Sequence, residues 1–312
     1  MNGTTGSGFH EGELAVQRRA GVRRDAARLS GMLAEANLDG GFGRFLAAQR
    51  FAALAARDRE GRLWVSPLLG EPGFLEGTGR GLRVHGGFGD VDPLRGVAPG
   101  QPVGLIAVDF ASRRRVRVNG VLVDAGPLGL EVDADQAYGN CPRYIQQRHL
   151  DGLSGGAGAG PSRASWSETL SDDQRATLRA ADTMIVGTIH PDRGVDASHR
   201  GGDPGFMRVE GARVGGGRIW WPDYPGNNLF NTLGNLAVDD RAALLVPDFE
   251  RGSVLQLSGR ATVEWIRPGT PGDDGHTGRR VSFVPDRIVQ VEGLPLRSGG
   301  EVHPSPANPA ID

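Results

Sequence analysis

The sequence contains no lysine, so all 35 residues of the Lys and Arg class are arginine. This absence excludes Schiff-base chemistry on lysine, including covalent pyridoxal-phosphate catalysis, and it excludes the usual lysine of a phosphate-binding P-loop. Any anion that the protein binds must be held by arginine, by backbone amides or by neutral donors.

Cysteine is nearly absent as well, with Cys141 as the single copy in 312 residues. One cysteine excludes an intramolecular disulfide and a multi-cysteine metal site. The seven histidines show no paired spacing typical of metal ligands, so we expect no metal site. The Asn-Cys-Pro context of Cys141 is typical of a helix start, which favours a structural role over a nucleophile.

Long apolar runs are also missing, since none approaches the roughly 20 residues that a membrane-spanning helix needs. The net charge of −2 provides no basic field to attract nucleic acid or an acidic membrane. The N-terminus lacks the charged-then-apolar pattern of a signal peptide. We therefore expect a cytoplasmic protein that binds neither nucleic acid nor membrane.

What the chain does contain is an internal repeat. Residues 51–74 resemble residues 184–206, and residues 103–123 resemble residues 242–262 at a constant offset of 139. Phe110 then matches Phe249, and Gly120 matches Gly259. A match sustained over these lengths indicates a duplicated domain.

Each copy shows short apolar strands separated by turn residues, and one strand carries a glycine at its middle that predicts a bulge. Many short strands of this kind predict a mainly β protein with peripheral helices, built as two small barrels. One helix is predicted over residues 12–38. The predicted layout is an N-terminal arm and helix (1–45), a first barrel (46–150), a Gly/Ser-rich linker (151–170), a second barrel (171–298) and a disordered tail (299–312).

The segment 221–236 combines a Pro-Gly turn with four asparagines and an apolar stripe. On a helical wheel, Asn227, Asn231 and Asn235 share one face, and the turn places Asn227 or Asn228 at the N-cap. A helix N-terminus with neutral amide donors suits an anion such as a phosphate ester. The alternative is that one asparagine caps the helix and the others are merely exposed.

The run "RRRVR" places Arg113, Arg115 and Arg117 on one side of a strand. A solvated, charged strand edge is the favoured interpretation. The alternative is that Arg115 or Arg117 contacts a bound anion.

Several motifs together resemble a known family: "VDASHRGGDPGFMRV", "WPDYPGNNLFNTLGNLAVDDRAALLVPDF", "LQLSGRA", "FHEGELAVQRRAG" and "QAYGNCPRYIQ". They are similar to pyridoxamine 5'-phosphate oxidase-like flavoproteins with the FMN-binding split-barrel fold, in their tandem, flavin-nucleotide-binding subfamily. The resemblance implies two tandem split barrels that form a pseudo-dimer, with flavin at their interface.

Carried onto this chain, the resemblance assigns the FMN site to two segments and adds one arginine from the first half. The assigned residues are Ser198, His199, Arg200, Gly201, Trp221, Asp223, Asn227, Asn228, Asn231, Asn235 and Arg115. Because Leu68 stands where the second half has Arg200, we expect one phosphate site per chain. The Arg-Lys pair of true pyridoxamine phosphate oxidases is replaced here by Asn231 and Thr232, which argues against vitamin B6 oxidation.

The resemblance implies an FMN-dependent oxidoreductase that acts on a small organic substrate, with NAD(P)H or a separate electron donor and with catalytic residues unassigned. The alternatives are a flavin-binding protein without turnover, and a haem-binding or haem-degrading split barrel with His149 or His199 as axial ligand. Another flavin or a deazaflavin is an alternative cofactor. A homodimer is also compatible with the family.

Overall fold

The computed structural model describes residues 8–33, 35–126, 128–151, 161–211 and 217–311. Over these residues the chain is mainly β with peripheral helices, which confirms the predicted class. None of the helices in the described part of the chain is both long and apolar enough to cross a bilayer.

The first half forms a seven-stranded antiparallel sheet in the order β2-β1-β5-β6-β7-β4-β3. Its strands are β1 (Phe51–Arg57), β2 (Leu63–Leu69), β3 (Leu75–Thr78), β4 (Gly81–His85), β5 (Gln101–Asp109), β6 (Arg114–Gly126) and β7 (Gly129–Gly139).

The second half forms a sheet in the order β11-β10-β14-β15-β16-β13-β12, which repeats the order of the first half strand for strand. Its strands are β10 (Thr183–His190), β11 (Gly194–Gly201), β12 (Arg208–Glu210), β13 (Arg218–Pro222), β14 (Arg241–Asp248), β15 (Ser253–Trp265) and β16 (Arg279–Glu292). The repeat offset of 139 carries both ends of β6 onto both ends of β15.

Mid-strand glycines bend the long strand of each half. The pairing register shifts between Asn119 and Gly120 in β6, and between Ser258 and Gly259 in β15. A Cβ on Gly120 would lie 2.1 Å from the Asp133 carbonyl oxygen, so only glycine fits where the neighbouring strand approaches this closely. The predicted bulge is confirmed in both halves.

The N-terminal region differs from the single helix predicted over residues 12–38. It contains α1 (Glu11–Arg19), α2 (Arg23–Ala27) and a 3-10 turn (Ser30–Leu33). Gly21 follows α1 with φ of +74°, a left-handed conformation that ends a helix. The other helices are α3 (Gly41–Ala47), α4 (Asp172–Ala180) and α5 (Asn231–Leu236).

Two predicted loop segments form strands. Within the predicted linker, residues 152–160 lie outside the described residues, but β9 (Arg163–Ser167) pairs with β16. The predicted disordered tail contains β17 (Ser298–His303), which pairs with β8 (Gln147–Leu150). Backbone pairing with an available strand therefore overrides the low apolar content of both segments.

The two halves share a core. Ile185, Leu245 and Val254 of the second half belong to the same buried cluster as Leu54 and Val65 of the first. The matched residues Phe110 and Phe249 lie edge to face, with ring centroids 5.3 Å apart. A residue thus packs against its own repeat equivalent, as expected on an axis that relates two similar units.

Candidate functional site

A cleft between the two halves encloses about 920 Å³ of empty space, part of it open to solvent. The second half contributes the end of β11, the end of β13 and the segment that follows; the first half contributes β6 and the segment after β7. Ten of the eleven predicted cofactor-binding residues line it: Arg115, Ser198, His199, Arg200, Gly201, Trp221, Asp223, Asn227, Asn228 and Asn231.

Arg115 and Arg200 give the cleft a positive charge that no carboxylate of the described residues pairs with. Arg115 Nη1 donates to His199 Nδ1 at 2.9 Å, and Arg200 Nη1 donates to the His199 carbonyl oxygen at 3.0 Å. Burial, followed by repulsion from Arg200 and Arg117, lowers the pKa of Arg115 to about 9. Burial also lowers the pKa of Arg200. Unpaired charges away from water are costly, so this pair favours an anionic ligand.

His199 is a neutral ring in this setting. Its Nδ1 faces a guanidinium, which can only donate, so Nδ1 accepts and the proton of the ring lies on Nε2. Burial lowers the pKa of His199 well below its usual value, and the charges of Arg115, Arg200 and Arg148 lower it further. Nε2 has no hydrogen-bond partner in the described part of the chain. His199 therefore retains one unused N–H donor.

The arginine run at the start of β6 does not form the solvated strand edge that the sequence favoured. Arg117 is only 5% exposed and forms an ion pair with Asp196, while Arg115 lines the cleft. Arg113 turns elsewhere and donates to the Ile145 carbonyl oxygen at 3.0 Å. The alternative interpretation, in which one of these arginines faces a bound anion, fits Arg115.

Ser198 and Asp223 line the cleft but already have partners. The Ser198 hydroxyl donates to Asp196 Oδ2 at 3.2 Å. Asp223 Oδ2 accepts from Arg279 Nε at 2.9 Å, and both side chains of this pair are 10% exposed. These two side chains shape the wall and compensate neighbouring groups, which leaves the open charge to Arg115 and Arg200.

The predicted N-cap at Asn227 or Asn228 is wrong. Helix α5 begins at Asn231, and its N-cap residue is Phe230, in a left-handed conformation with φ of +63° and without a side-chain cap. Asn228 is also left-handed, with φ of +60°. Asn227 instead forms a local turn, in which its Oδ1 accepts from the Leu229 backbone N–H at 3.2 Å. A six-residue helix in this position provides little dipole for an anion.

The asparagine face of α5 points largely at helix α1. Asn231 Nδ2 donates to Glu13 Oε1 at 2.7 Å. Asn235 Nδ2 donates to Thr188 Oγ1 at 3.0 Å, and Asn235 lines a second cavity near the N-terminus and not the cleft. Asn235 therefore lies apart from the ten predicted residues that line the cleft, because a helix that begins at Asn231 brings this side chain against β10.

Sequence reasoning missed part of the cleft wall. The segment after β7 supplies it, although no helix begins at Cys141, which is exposed and lines the cleft. Tyr144 and Tyr224 both line the cleft, and their ring centroids lie 5.1 Å apart. The motif "YGNCPRYIQ" could have indicated this wall, because it is one of the motifs that carry the family resemblance and no site residue was assigned within it. Asn140 and Arg143 of the same segment and Phe230 before α5 also line the cleft.

A group of side chains near the N-terminus has metal-ligand composition: His10, Glu11 and His190 have ligand atoms within 4.8 Å of one another. However, His10 Nδ1 accepts from the Gly12 backbone N–H at 3.2 Å, and His190 Nδ1 accepts from Asp192 at 3.1 Å. Because Nδ1 of each ring accepts a hydrogen bond, a proton lies on Nε2, so neither ring offers a free nitrogen lone pair to a metal ion.

Comparisons with known proteins give distant structural likeness. No family model and no curated protein matches the sequence. HupZ of Group A Streptococcus is 12% identical, with 38% of this chain and 92% of that one covered and a TM-score of 0.31. A general stress protein 26 relative of the pyridoxinephosphate oxidase family, from Clostridium acetobutylicum, is 9% identical (42% and 92% covered, TM-score 0.28). A FAD-binding protein of Mesorhizobium loti is 11% identical (42% and 97% covered, TM-score 0.27). Likeness at this level carries no argument about the function of this chain.

Proposed function

We propose that the cleft binds FMN and that the protein is an FMN-dependent oxidoreductase of the pyridoxamine-phosphate-oxidase-like type, acting on a small organic substrate. One observation carries the proposal. Arg115 and Arg200 meet in the cleft from different halves of the chain, and neither forms an ion pair with a carboxylate of the described residues, although the charge of Asp223 raises the pKa of Arg200 against the larger effect of burial. A phosphate ester is the ligand chemistry that such a pair recognises best.

The residues present fit the cofactor. Arg200 and Arg115 would hold the phosphate, and the His199 N–H is available to a neutral or anionic oxygen. Trp221 and Phe230 supply apolar wall suited to the edge of an aromatic ring system. When bound, flavin supplies the hydride or electron transfer, while the protein binds, orients and excludes water. NAD(P)H or a separate protein donor would provide the electrons.

The architecture we propose is a pair of tandem split barrels, residues 46–150 and 171–298, that form a pseudo-dimer within one chain. The repeated strand order and the contact between Phe110 and Phe249 support it. One competent flavin site per chain follows, since Leu68 occupies the position of Arg200 in the first half. The replacement of a cationic pair by Asn231 and Thr232 favours a substrate other than vitamin B6.

The haem alternative is disfavoured by its two candidate ligands. His149 lies on β8, is exposed, and does not line the cleft. His199 lines the cleft, but its Nδ1 accepts from Arg115, so Nε2 carries a proton and has no lone pair for iron.

The test is a spectroscopic FMN titration of the wild type and of two arginine variants. Arg200→Ala should weaken FMN binding by at least about tenfold, because a charge-assisted hydrogen bond contributes about 1.5–3 kcal/mol. Arg83→Ala is the matched control, since Arg83 is an exposed partner of Glu131 outside the cleft. Equal affinity in wild type and Arg200→Ala would refute the site. Bleaching of the bound flavin by NAD(P)H then separates an enzyme from a flavin carrier.

A further inference from the structure

Helix α1 brings a carboxyl group against the back of the cleft. Helices α1 and α5 touch through glycines: a Cβ on Gly12 would lie 2.1 Å from the Gly234 carbonyl oxygen. This close approach places Glu13 beside Asn231, with Glu13 only 3% exposed. Asn231 lines both the cleft and the second cavity, so it separates Glu13 from the ligand space.

The hydrogen bonds fix the orientation of the Asn231 amide. Glu13 Oε2 accepts from the His10 backbone N–H at 3.0 Å, and Glu13 Oε1 accepts from Asn231 Nδ2 at 2.7 Å. An ionised carboxylate can only accept, so the amide nitrogen must face Glu13. The Asn231 oxygen is then turned towards Arg117, whose Nη1 lies 3.5 Å away. In this state the Asn231 amide presents its oxygen, an acceptor, on the side of Arg117 and its nitrogen on the side of Glu13.

We propose that Glu13 is a positioning residue that couples anion binding in the cleft to the uptake of one proton. This rests on the proposed function, with the FMN phosphate as the anion. A proton from solvent joins Glu13 Oε1, which then donates to Asn231 Oδ1. The amide turns by half a rotation, and its Nδ2 becomes a donor on the cleft side. Arg117 loses only a long contact and keeps its ion pair with Asp196.

The switch operates in the neutral range because burial raises the pKa of Glu13 to about 7, against the opposing effects of its hydrogen bonds and nearby cations. His10 stays neutral there, since burial lowers its pKa to about 4. The other titratable or charged groups that face Glu13 come from the sheets and the β10–β11 turn: Arg117 on β6, Tyr138 on β7, Arg193 in the turn, and Asp196 on β11 through Arg117.

The experiment measures FMN affinity between pH 5.5 and 9 for the wild type, Glu13→Gln and Glu11→Gln, the pH range being chosen around about 7. A glutamine at position 13 donates permanently to Asn231 Oδ1, so its complex should keep the acid-side affinity. Wild-type affinity should fall relative to Glu13→Gln by up to about tenfold per pH unit above pH 7. Glu11→Gln removes an exposed carboxyl from the same helical turn and should follow the wild type. Parallel profiles for wild type and Glu13→Gln would overturn the proposal.

Calorimetry of the wild type provides the second measurement and needs no variant. FMN binding at pH 7.5 in buffers of different ionisation enthalpy should show uptake of a fraction of a proton, up to about one. Zero uptake or proton release would overturn the coupling while leaving the flavin site intact. If no FMN binds at any pH, the proposed function fails. The coupling is then tested with inorganic phosphate as the probe in the same three proteins, and identical phosphate profiles would overturn it.

Discussion

The two halves have the same strand order, and they meet at two equivalent interfaces, one around Ser66 and one around Ser198. The side chains at these two interfaces differ in charge. At the repeat offset of 139, Asp92 corresponds to Asn231 and Gln256 to Arg117. At the first of these interfaces, Gln256 Nε2 of the second half donates to two groups of the first half, Ser66 Oγ at 2.9 Å and Asp92 Oδ2 at 3.3 Å, and Ser66 donates to Asp92 at 2.6 Å. Asp92, Ser66 and the Gln256 nitrogen thus have partners within the protein, whereas the Gln256 Oε1 has none among the described residues.

At the other interface, the equivalent positions include Arg117 and Arg200, and positive charge remains without an ion-pair partner. Burial, followed by the charges of Arg200 and Arg117, lowers the pKa of Arg115, and burial followed by the charge of Arg200 lowers the pKa of Arg117. Among the described residues, the ion-pair partner of Asp196 is Arg117. The backbone thus provides two similar interfaces between the halves. Side chains fill one of them with hydrogen-bonded groups and place arginines without ion-pair partners at the other.

The largest expected effect comes from introducing a positive charge at the first-half position that corresponds to Arg200. Leu68 is 2% exposed and corresponds to Arg200. Leu68→Arg should lower the free energy of unfolding by about 3–5 kcal/mol, the usual cost of an uncompensated buried charge. Leu68→Met is the control and should cost less than about 1.5 kcal/mol. Denaturant unfolding measures both, and equal stability of the two variants would show that the first-half position tolerates a cation.

Each interface has a buried carboxyl group beside it: burial raises the pKa of Asp92 to about 6 and the pKa of Glu13, on helix α1, to about 7. A raised native pKa stabilises the fold below the unfolded value and loses that contribution as pH rises through the native one. The unfolding free energy of wild type relative to Glu13→Gln should therefore fall between pH 4.5 and pH 7, by on the order of 3 kcal/mol.

Glu11→Gln is the control for this profile, since Glu11 is exposed and lies in the same turn of α1. Its stability relative to wild type should vary less over the same pH range. A difference between wild type and Glu13→Gln that stays constant from pH 5 to pH 8 would contradict the assignment of a neutral-range proton to Glu13.

A matched pair of serine variants tests the hydrogen-bond network around Asp92 with a smaller expected change in the free energy of unfolding. Ser66→Ala removes the donor to Asp92 and the acceptor for Gln256, and should cost about 1–3 kcal/mol of unfolding free energy. Ser198→Ala, at the equivalent position, removes one bond to an Asp196 that keeps Arg117 and Asn119. It should cost about 1 kcal/mol or less. A larger loss for Ser198→Ala would reverse the comparison.

The smallest expected effect is on stability in Arg200→Leu. Replacing an unpaired, partly buried cation by the residue of the first half should leave the unfolding free energy unchanged or raise it by up to about 1 kcal/mol. Thermal unfolding without added flavin measures this. A clear loss of stability would mean that Arg200 has a structural partner and is not reserved for a ligand.

Much of the fold was predictable because it depends on periodicity and on the repeat. The constant offset of 139 located β5 and β6 against β14 and β15, and the mid-strand glycines located the bulges. Strands β9 and β17 were missed because each is short and carries no alternating apolar pattern, so that its pairing through the backbone leaves little trace in the side chains.

The cleft was predictable where a segment carries its own signal, as at Ser198–Gly201 and Trp221–Asn228. The sequence did not show that Asn235 lies apart from the cleft. The helical wheel assumed a helix from Asn227, whereas the left-handed residues Asn228 and Phe230 delay its start to Asn231. The role of Glu13 could not be predicted, since it depends on docking of α1 over more than 200 residues of sequence separation.

The stoichiometry of FMN binding tests whether only one of the two interfaces takes the cofactor. Stepwise addition of FMN to a fixed concentration of the purified chain, followed by flavin fluorescence quenching, measures how many equivalents bind. One filled and one charged interface predict a single FMN per chain. Two equivalents would show that the filled place is also a site, and no binding would show that the charged cleft does not take FMN.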